Sequence, residues 1–188
     1  MRNIFLLLFV FTFFANNTKA QETDPKPYLA KVLKQTSLKA EPEITSKTLL
    51  TLKVNAQIYV FANEELDGFV KVIDITTNKL GWVQKSALKK IKDLPLSQKS
   101  SFQDDGESSS YEPEVVIKNT TGLTIRLIVG EKSFVLKPHS TTTEFINVGE
   151  QLYTASAPGV IPLSGKHIFN SNSKYNWTFT LVTSRVRR

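Results

Sequence analysis

The chain has 188 residues, enough for one domain or two small ones, and 24 Lys and Arg against 17 Asp and Glu give a net charge of +7. It contains no cysteine. Thiol nucleophiles, Cys-based zinc sites, iron–sulfur clusters and disulfide staples are therefore excluded.

The first twenty residues, MRNIFLLLFVFTFFANNTKA, place Arg2 before an apolar run from Ile4 to Ala15. Thr18 and Ala20 then stand at the minus-three and minus-one positions before Gln21. This layout predicts a secretory signal peptide over residues 1–20, cleaved before Gln21. The run is short for an uncleaved anchor, which would have to cross ~30 Å of hydrocarbon. The prediction is an exported chain, periplasmic or secreted, with no stable membrane insertion after cleavage. An absence of cysteine fits export only if the fold needs no disulfide.

Residues 28–92 hold 11 Lys against 6 acidic residues. The run YLAKVLKQ from Tyr28 is strand-like, as are TLLTLKV from Thr48, QIYVFAN from Gln57 and FVKVIDI from Phe69. Short stretches rich in β-branched and aromatic residues, broken by polar turns, mark strands rather than helices. Thr76-Thr77-Asn78-Lys79 fits a hairpin turn, because Asn tolerates the left-handed conformation such turns need. Leu80-Gly81-Trp82-Val83-Gln84 follows as a further strand. Several short strands in this length predict a small closed barrel, which removes exposed strand edges.

Residues 93–113 are acidic and rich in Ser and Pro, and they predict a flexible linker with little apolar surface to offset ordering entropy. Asp104, Asp105 and Glu107 lack the alternate-residue spacing of a calcium loop. From residue 114 to 184 the strand-and-turn rhythm resumes. EVVIKN, LTIRLIV, KSFVLK, TTEFI, QLYTASA, IPLSGKHIF and YNWTFTLV are separated by turns at Thr120-Thr121-Gly122, Gly130-Glu131, Pro138-His139-Ser140 and beyond. Leu123, Ile125, Leu127 and Val129 alternate with their neighbours, as do Tyr175, Trp177, Phe179 and Leu181. Period-two patterning of this kind marks half-buried antiparallel strands. The fold class predicted is all-β, a small barrel followed by an immunoglobulin-like β-sandwich.

Residues 28–91 resemble the bacterial SH3 (SH3b) domain. The resemblance runs in order through Thr36-Ser37-Leu38-Lys39-Ala40-Glu41-Pro42, then Thr45-Ser46-Lys47, then Leu52-Lys53-Val54-Asn55-Ala56-Gln57-Ile58-Tyr59-Val60. It ends with Gly68-Phe69-Val70-Lys71-Val72 and Gly81-Trp82-Val83. Asn55-Ala56 stands where the family usually has a turn glycine, and Phe69 where it usually has tryptophan. The C-terminal part is similar only in a general way to small β-sandwich domains of bacterial envelope proteins. The resemblance implies an SH3-like barrel in an exported, non-catalytic binding protein that recognises a cell-wall peptide or glycan. An envelope adaptor that contacts another protein, with the barrel as scaffold, is the alternative, and an accessory of a wall hydrolase a third.

Alternation selects the candidate contacts. If Ile58, Val60, Val70, Val72 and Val83 point into the barrel, then Tyr59, Phe61, Phe69 and Lys71 point out, with Trp82 at the wall. Tyr59, Phe61, Phe69, Lys71 and Trp82 are thus the candidate ligand-binding residues. Trp82 and Phe69 could equally cap the barrel as packed aromatics. The basic balance suits anionic wall polymers, whereas export argues against nucleic acid. No catalytic constellation is apparent: the only histidines, His139 and His167, lie apart in the sequence, and no G-x-S-x-G motif occurs. The sequence therefore predicts no enzyme, no cofactor and no metal.

Overall fold

The computed structural model describes residues 26–97 and 101–180, the side chain of residue 63 excepted. The predicted signal peptide and its cleavage point lie outside the described residues, as do residues 181–184 of the predicted sandwich. The described chain is all-β.

An N-terminal sheet is built from β1 (Tyr28–Val32), β2 (Thr36–Lys39), β3 (Thr48–Leu52), β4 (Gln57–Leu66), β5 (Phe69–Asp74), β6 (Lys79–Gln84) and β7 (Leu88–Asp93). A 3-10 turn, Lys85–Ala87, joins the last two strands. The seven strands pair antiparallel in the order β3-β2-β6-β5-β4-β1-β7. One buried cluster draws on Ala30, Leu38, Leu52, Ile58, Val72 and Val83, with Leu88 packed against it. Both edge strands thus contribute to the same core, so the sheet curls around it. Ile58, Val60, Val70, Val72 and Val83 all lie in that core.

Two local features shape this sheet. Gly81 has no room for a side chain, since a Cβ there would sit 2.5 Å from the Lys39 carbonyl oxygen and 2.9 Å from the Leu38 side chain. The glycine before Trp82 therefore lets β2 cross close over β6, where Lys39 pairs with Trp82. In β4 the register with β5 shifts between Val60 and Glu65, a bulge-like irregularity of the kind that re-aims side chains.

The C-terminal part is a β-sandwich. Its strands are β8 (Gln103–Glu107), β9 (Glu114–Asn119), β10 (Ile125–Val129), β11 (Lys132–Leu136), β12 (Thr141–Phe145), β13 (Gly149–Ser156), β14 (Leu163–Phe169) and β15 (Ser173–Phe179). They form two four-stranded sheets, β11-β10-β13-β14 and β12-β9-β15-β8, with β9 and β15 the one parallel pair among the described strands. Leu127, Tyr153 and Phe169 of the first sheet meet Ile117, Tyr175 and Trp177 of the second in one core.

The stretch expected to be a flexible linker, residues 93–113, contains a paired strand among its described residues. Asp93 still belongs to β7, and β8 pairs antiparallel with β15. Phe102 explains the difference. It is 4 % exposed, and its ring lies 4.5 Å from that of Trp177, 4.9 Å from Phe169 and 5.3 Å from Tyr153. One buried aromatic holds a polar segment that composition alone assigns to solvent.

Candidate functional site

The ladders of β4, β5 and β6 fix which side chains share the sheet's outer face. Lys71 pairs with Trp82, and Ile73 pairs with Leu80 on one side and Tyr59 on the other. Phe69, Lys71 and Ile73 thus form one row on β5, flanked by Trp82 and Leu80 on β6 and by Tyr59 on β4. This face turns away from the core, as the alternation predicts. Its two ends have different fates.

At one end the face is covered. Leu29, Tyr59, Ile73 and Ile75 form a second buried cluster, with Phe61, Leu80 and Leu94 packed against it. The Tyr59 hydroxyl lies 2.5 Å from Ser164 Oγ of β14 and 3.5 Å from Thr154 Oγ1 of β13. The Gly159 N–H donates to the Ile75 carbonyl at 2.7 Å. Asn78, in the left-handed conformation at φ 57° as its turn position predicts, donates its Nδ2 to the Ser156 carbonyl at 3.2 Å. The sandwich therefore sits on this part of the sheet. Burial pushes the Tyr59 phenol above its ordinary value, with the Ser164 and Thr154 hydroxyls acting in the opposite direction.

Two expected contacts must therefore be corrected. Tyr59 does point out of the curled sheet, but it is 1 % exposed, because the sandwich covers it. Phe69 also lies on the outward row, yet at 5 % exposure it offers a ligand almost nothing. Alternation reports the direction of a side chain from its own sheet; it carries no information about a second layer packed on that sheet.

At the other end three expected residues come together. Lys71 Nζ lies 5.7 Å from the centre of the Phe61 ring and 6.0 Å from that of Trp82. All three side chains are half-buried. Glu64, on the shifted segment of β4, receives Lys71 Nζ through both carboxylate oxygens at 3.2 Å. Sequence reasoning missed Glu64, because the register shift after Val60 breaks the alternation that would have placed it. The result is an aromatic pair with a cation fixed between its rings, and a carboxylate that holds the cation.

Phe61 separates two depressions. On one side, a groove of about 610 Å³ is lined by Tyr28, Phe61, Glu65, Lys85 and Lys90, among others. On the other, a cleft of about 440 Å³ lies between the sheet and the sandwich, with Phe61 and Glu64 on one wall and Leu152 and Lys166 on the opposite wall. Both volumes fall within the ~300–1,000 Å³ range of ligand sites, and the second lies at a junction of structural units, where such sites concentrate.

Among the described residues no group of three or more His, Cys, Asp or Glu side chains is placed to hold a metal ion. His139 occupies a left-handed turn position at φ 52°. His167 lies among the Phe102, Phe169 and Tyr175 rings at 4.5–5.2 Å between centres. Burial pushes the His167 imidazole below its ordinary value, with Asp104 acting the other way. Comparison with protein-family models, curated proteins and solved structures finds no match to this chain.

Proposed function

We propose that the protein is an exported, non-catalytic binding protein, and that its N-terminal sheet is a bacterial SH3-like barrel recognising a cell-wall peptide or glycan. The observation that carries this reading is the Phe61–Lys71–Trp82 cluster at the uncovered end of the barrel's outer face. Aromatic faces stack on sugar rings and peptide planes, and a cation held over them attracts carboxylates of a wall polymer. Neither cofactor nor metal enters this function.

The test is pull-down of the full-length secreted protein on purified wall sacculi, with Phe61→Ala and Trp82→Ala compared after thermal melts show both folded. Each substitution is expected to weaken binding by about 1–2 kcal/mol, the scale of interface anchors. A wild-type protein that stays in the supernatant, or folded variants that bind like it, would sink the proposal.

An envelope adaptor is the second reading, favoured by a different observation. Val135, Leu152 and Ile168 are 59 %, 47 % and 61 % exposed on the sandwich. The ladder register puts all three on the outer face of the β11-β10-β13-β14 sheet. The barrel already covers the middle of that face through Thr154 and Ser164, and the apolar side chains left exposed around the covered part are where a further protein would make contact. Capture of an envelope protein through that face, with no sacculus binding, is the outcome this reading expects.

A further inference from the structure

We infer that the cleft between the barrel and the sandwich receives an aliphatic ammonium group carried on a peptide, with the sandwich supplying most of the recognising charge. This goes beyond the binding surface proposed above, with which the cleft shares Phe61 and Glu64.

The charge of the cleft runs against that of the chain. Lys and Arg outnumber acidic residues 24 to 17 overall, yet this cleft is lined by Glu64, Glu131 and Glu150 against Lys166 alone. Glu64 is held by Lys71 at 3.2 Å and Glu150 by Lys166 at 3.1 Å. Glu131 makes no ion pair among the described residues. With Lys71 counted, three carboxylates meet two ammonium groups, so the cleft keeps one net negative charge, that of Glu131.

The backbone that carries this carboxylate is held in place. Glu131 is the second residue of the two-residue turn between β10 and β11, defined by the pairing of Val129 with Lys132. Gly130 precedes it at φ 56°, a conformation that favours glycine, and its N–H donates to the Leu152 carbonyl at 2.8 Å. The turn is thereby tied to β13, and Glu150 stands on β13 itself. The backbone under both carboxylates is therefore set before a ligand arrives, and only the side chains have to be ordered.

Between these acids the surface is apolar, formed by Phe61, Ile128 and Leu152. A lysine-like side chain matches both features, with its methylene stem on the apolar wall and its ammonium at the acidic rim. A bare metal cation does not, since no three ligating side chains converge among the described residues.

The test is calorimetric titration of the full-length secreted protein with acetyl-Ala-Lys-Ala-amide and with the same peptide acetylated on the lysine side chain. The free amine is expected to bind about tenfold more tightly, the sum of two partly exposed charge pairs. E131Q/E150Q, two exposed substitutions that leave the fold intact, should lower affinity for the free amine to that of the acetylated peptide. Trp82→Ala, outside the cleft lining, should bind the free amine like wild type. Equal affinity for the two peptides, undiminished binding by E131Q/E150Q, or no binding of the free amine at millimolar concentration would each overturn the inference. The sacculus pull-down depends on Trp82 and this titration does not, so the two proposals fail separately.

Discussion

The Tyr59 hydroxyl and the Ser164 hydroxyl meet at 2.5 Å across the seam between the N-terminal sheet and the sandwich. The residues are 105 positions apart, and both are buried. Thr154 completes the group, 2.8 Å from Ser164. Three hydroxyls satisfy one another where water is excluded, so this part of the seam avoids the penalty of orphaned polar groups. Beside it, Asn78 Oδ1 and Ser156 Oγ are buried without a hydrogen-bond partner among the described residues. The Tyr59 ring meanwhile packs edge-on to Phe61 at 5.0 Å. Docking of the sandwich thus supports one of the aromatics that remains accessible.

Tyr59→Phe removes only the hydroxyl and leaves the Thr154–Ser164 contact in place. The expected loss is about 0.5–1.5 kcal/mol, the usual net value of one hydrogen bond. For a protein of this size each kcal/mol lowers Tm by roughly 2–4 °C. Tyr59→Ala also vacates the ring's volume and is expected to cost about 3–5 kcal/mol, as for other large aromatics. Calorimetry on both variants checks the pair; equal melting temperatures for Tyr59→Phe, Tyr59→Ala and wild type would show that the seam carries no stability.

The same residue gives an alkaline signature. Its folded-state value is raised, mainly by burial, so below the unfolded value of about 10 its contribution is fully present. Between the unfolded and folded values the folded state holds more protons, and stability falls as pH rises. Tyr28 is shifted the same way by burial, so part of the slope persists without Tyr59. Urea unfolding from pH 8 to 11 should show a steeper decline for wild type than for Tyr59→Phe. Parallel curves would mean that Tyr59 ionises as freely folded as unfolded.

Much of the sheet could be read from its residues, and the reasons are local. Period-two alternation assigned Ile58, Val60, Val70, Val72 and Val83 to one core, because each lies in a regular part of a ladder. Asn78 announced its turn because few other residues accept a positive φ. What could not be read is non-local. Nothing near Tyr59 in the sequence signals Ser164, and nothing around Phe102 signals Trp177. Strand β7, LKKIKD, shows no apolar alternation, since five of its six residues are exposed. Glu64 stayed hidden behind the shift in register that places it.

Phe102→Ala tests whether the polar segment before β9 belongs to the sandwich. Removing a ring packed against Tyr153, Phe169 and Trp177 is expected to cost about 3–5 kcal/mol. Limited proteolysis gives the local readout. Wild type should resist cleavage between Phe102 and Glu107, where β8 is paired, and Phe102→Ala should be cut there first. Rapid cleavage of wild type in this stretch would restore the linker.

His167 gives the acidic counterpart to Tyr59. Its folded-state value is lowered, mainly by burial, so its contribution is present above the unfolded value of about 6.5. As pH falls from there through the folded value, the unfolded state takes up the proton first and stability declines. Asp104, on β8, is the opposing influence. Asp104→Asn should therefore lower the His167 value further, which imidazole proton shifts in an NMR titration will show. An unchanged midpoint would remove Asp104 from the histidine's surroundings.

The accessible cluster makes the last prediction, which turns on the Glu64–Lys71 pair. Lys71 lies over two rings, but its charge is already matched by a carboxylate at 3.2 Å. Glu64→Gln leaves the ammonium over Phe61 and Trp82 with its charge unopposed. Affinity for anionic wall sacculi should then rise, and the gain should shrink with added salt, because exposed charges are screened over ~8 Å at physiological ionic strength. Lys71→Ala has the opposite effect, because it leaves Glu64 beside the rings to repel the same polymer. Stability should change little in either variant, by about 0–1 kcal/mol, the range for partly exposed ion pairs. Sacculus binding at 50 and 300 mM salt, measured for wild type and both variants, separates charge from stacking. If Glu64→Gln and Lys71→Ala both bind like wild type at the lower salt, the cation has no part in recognition and the two aromatic rings act alone.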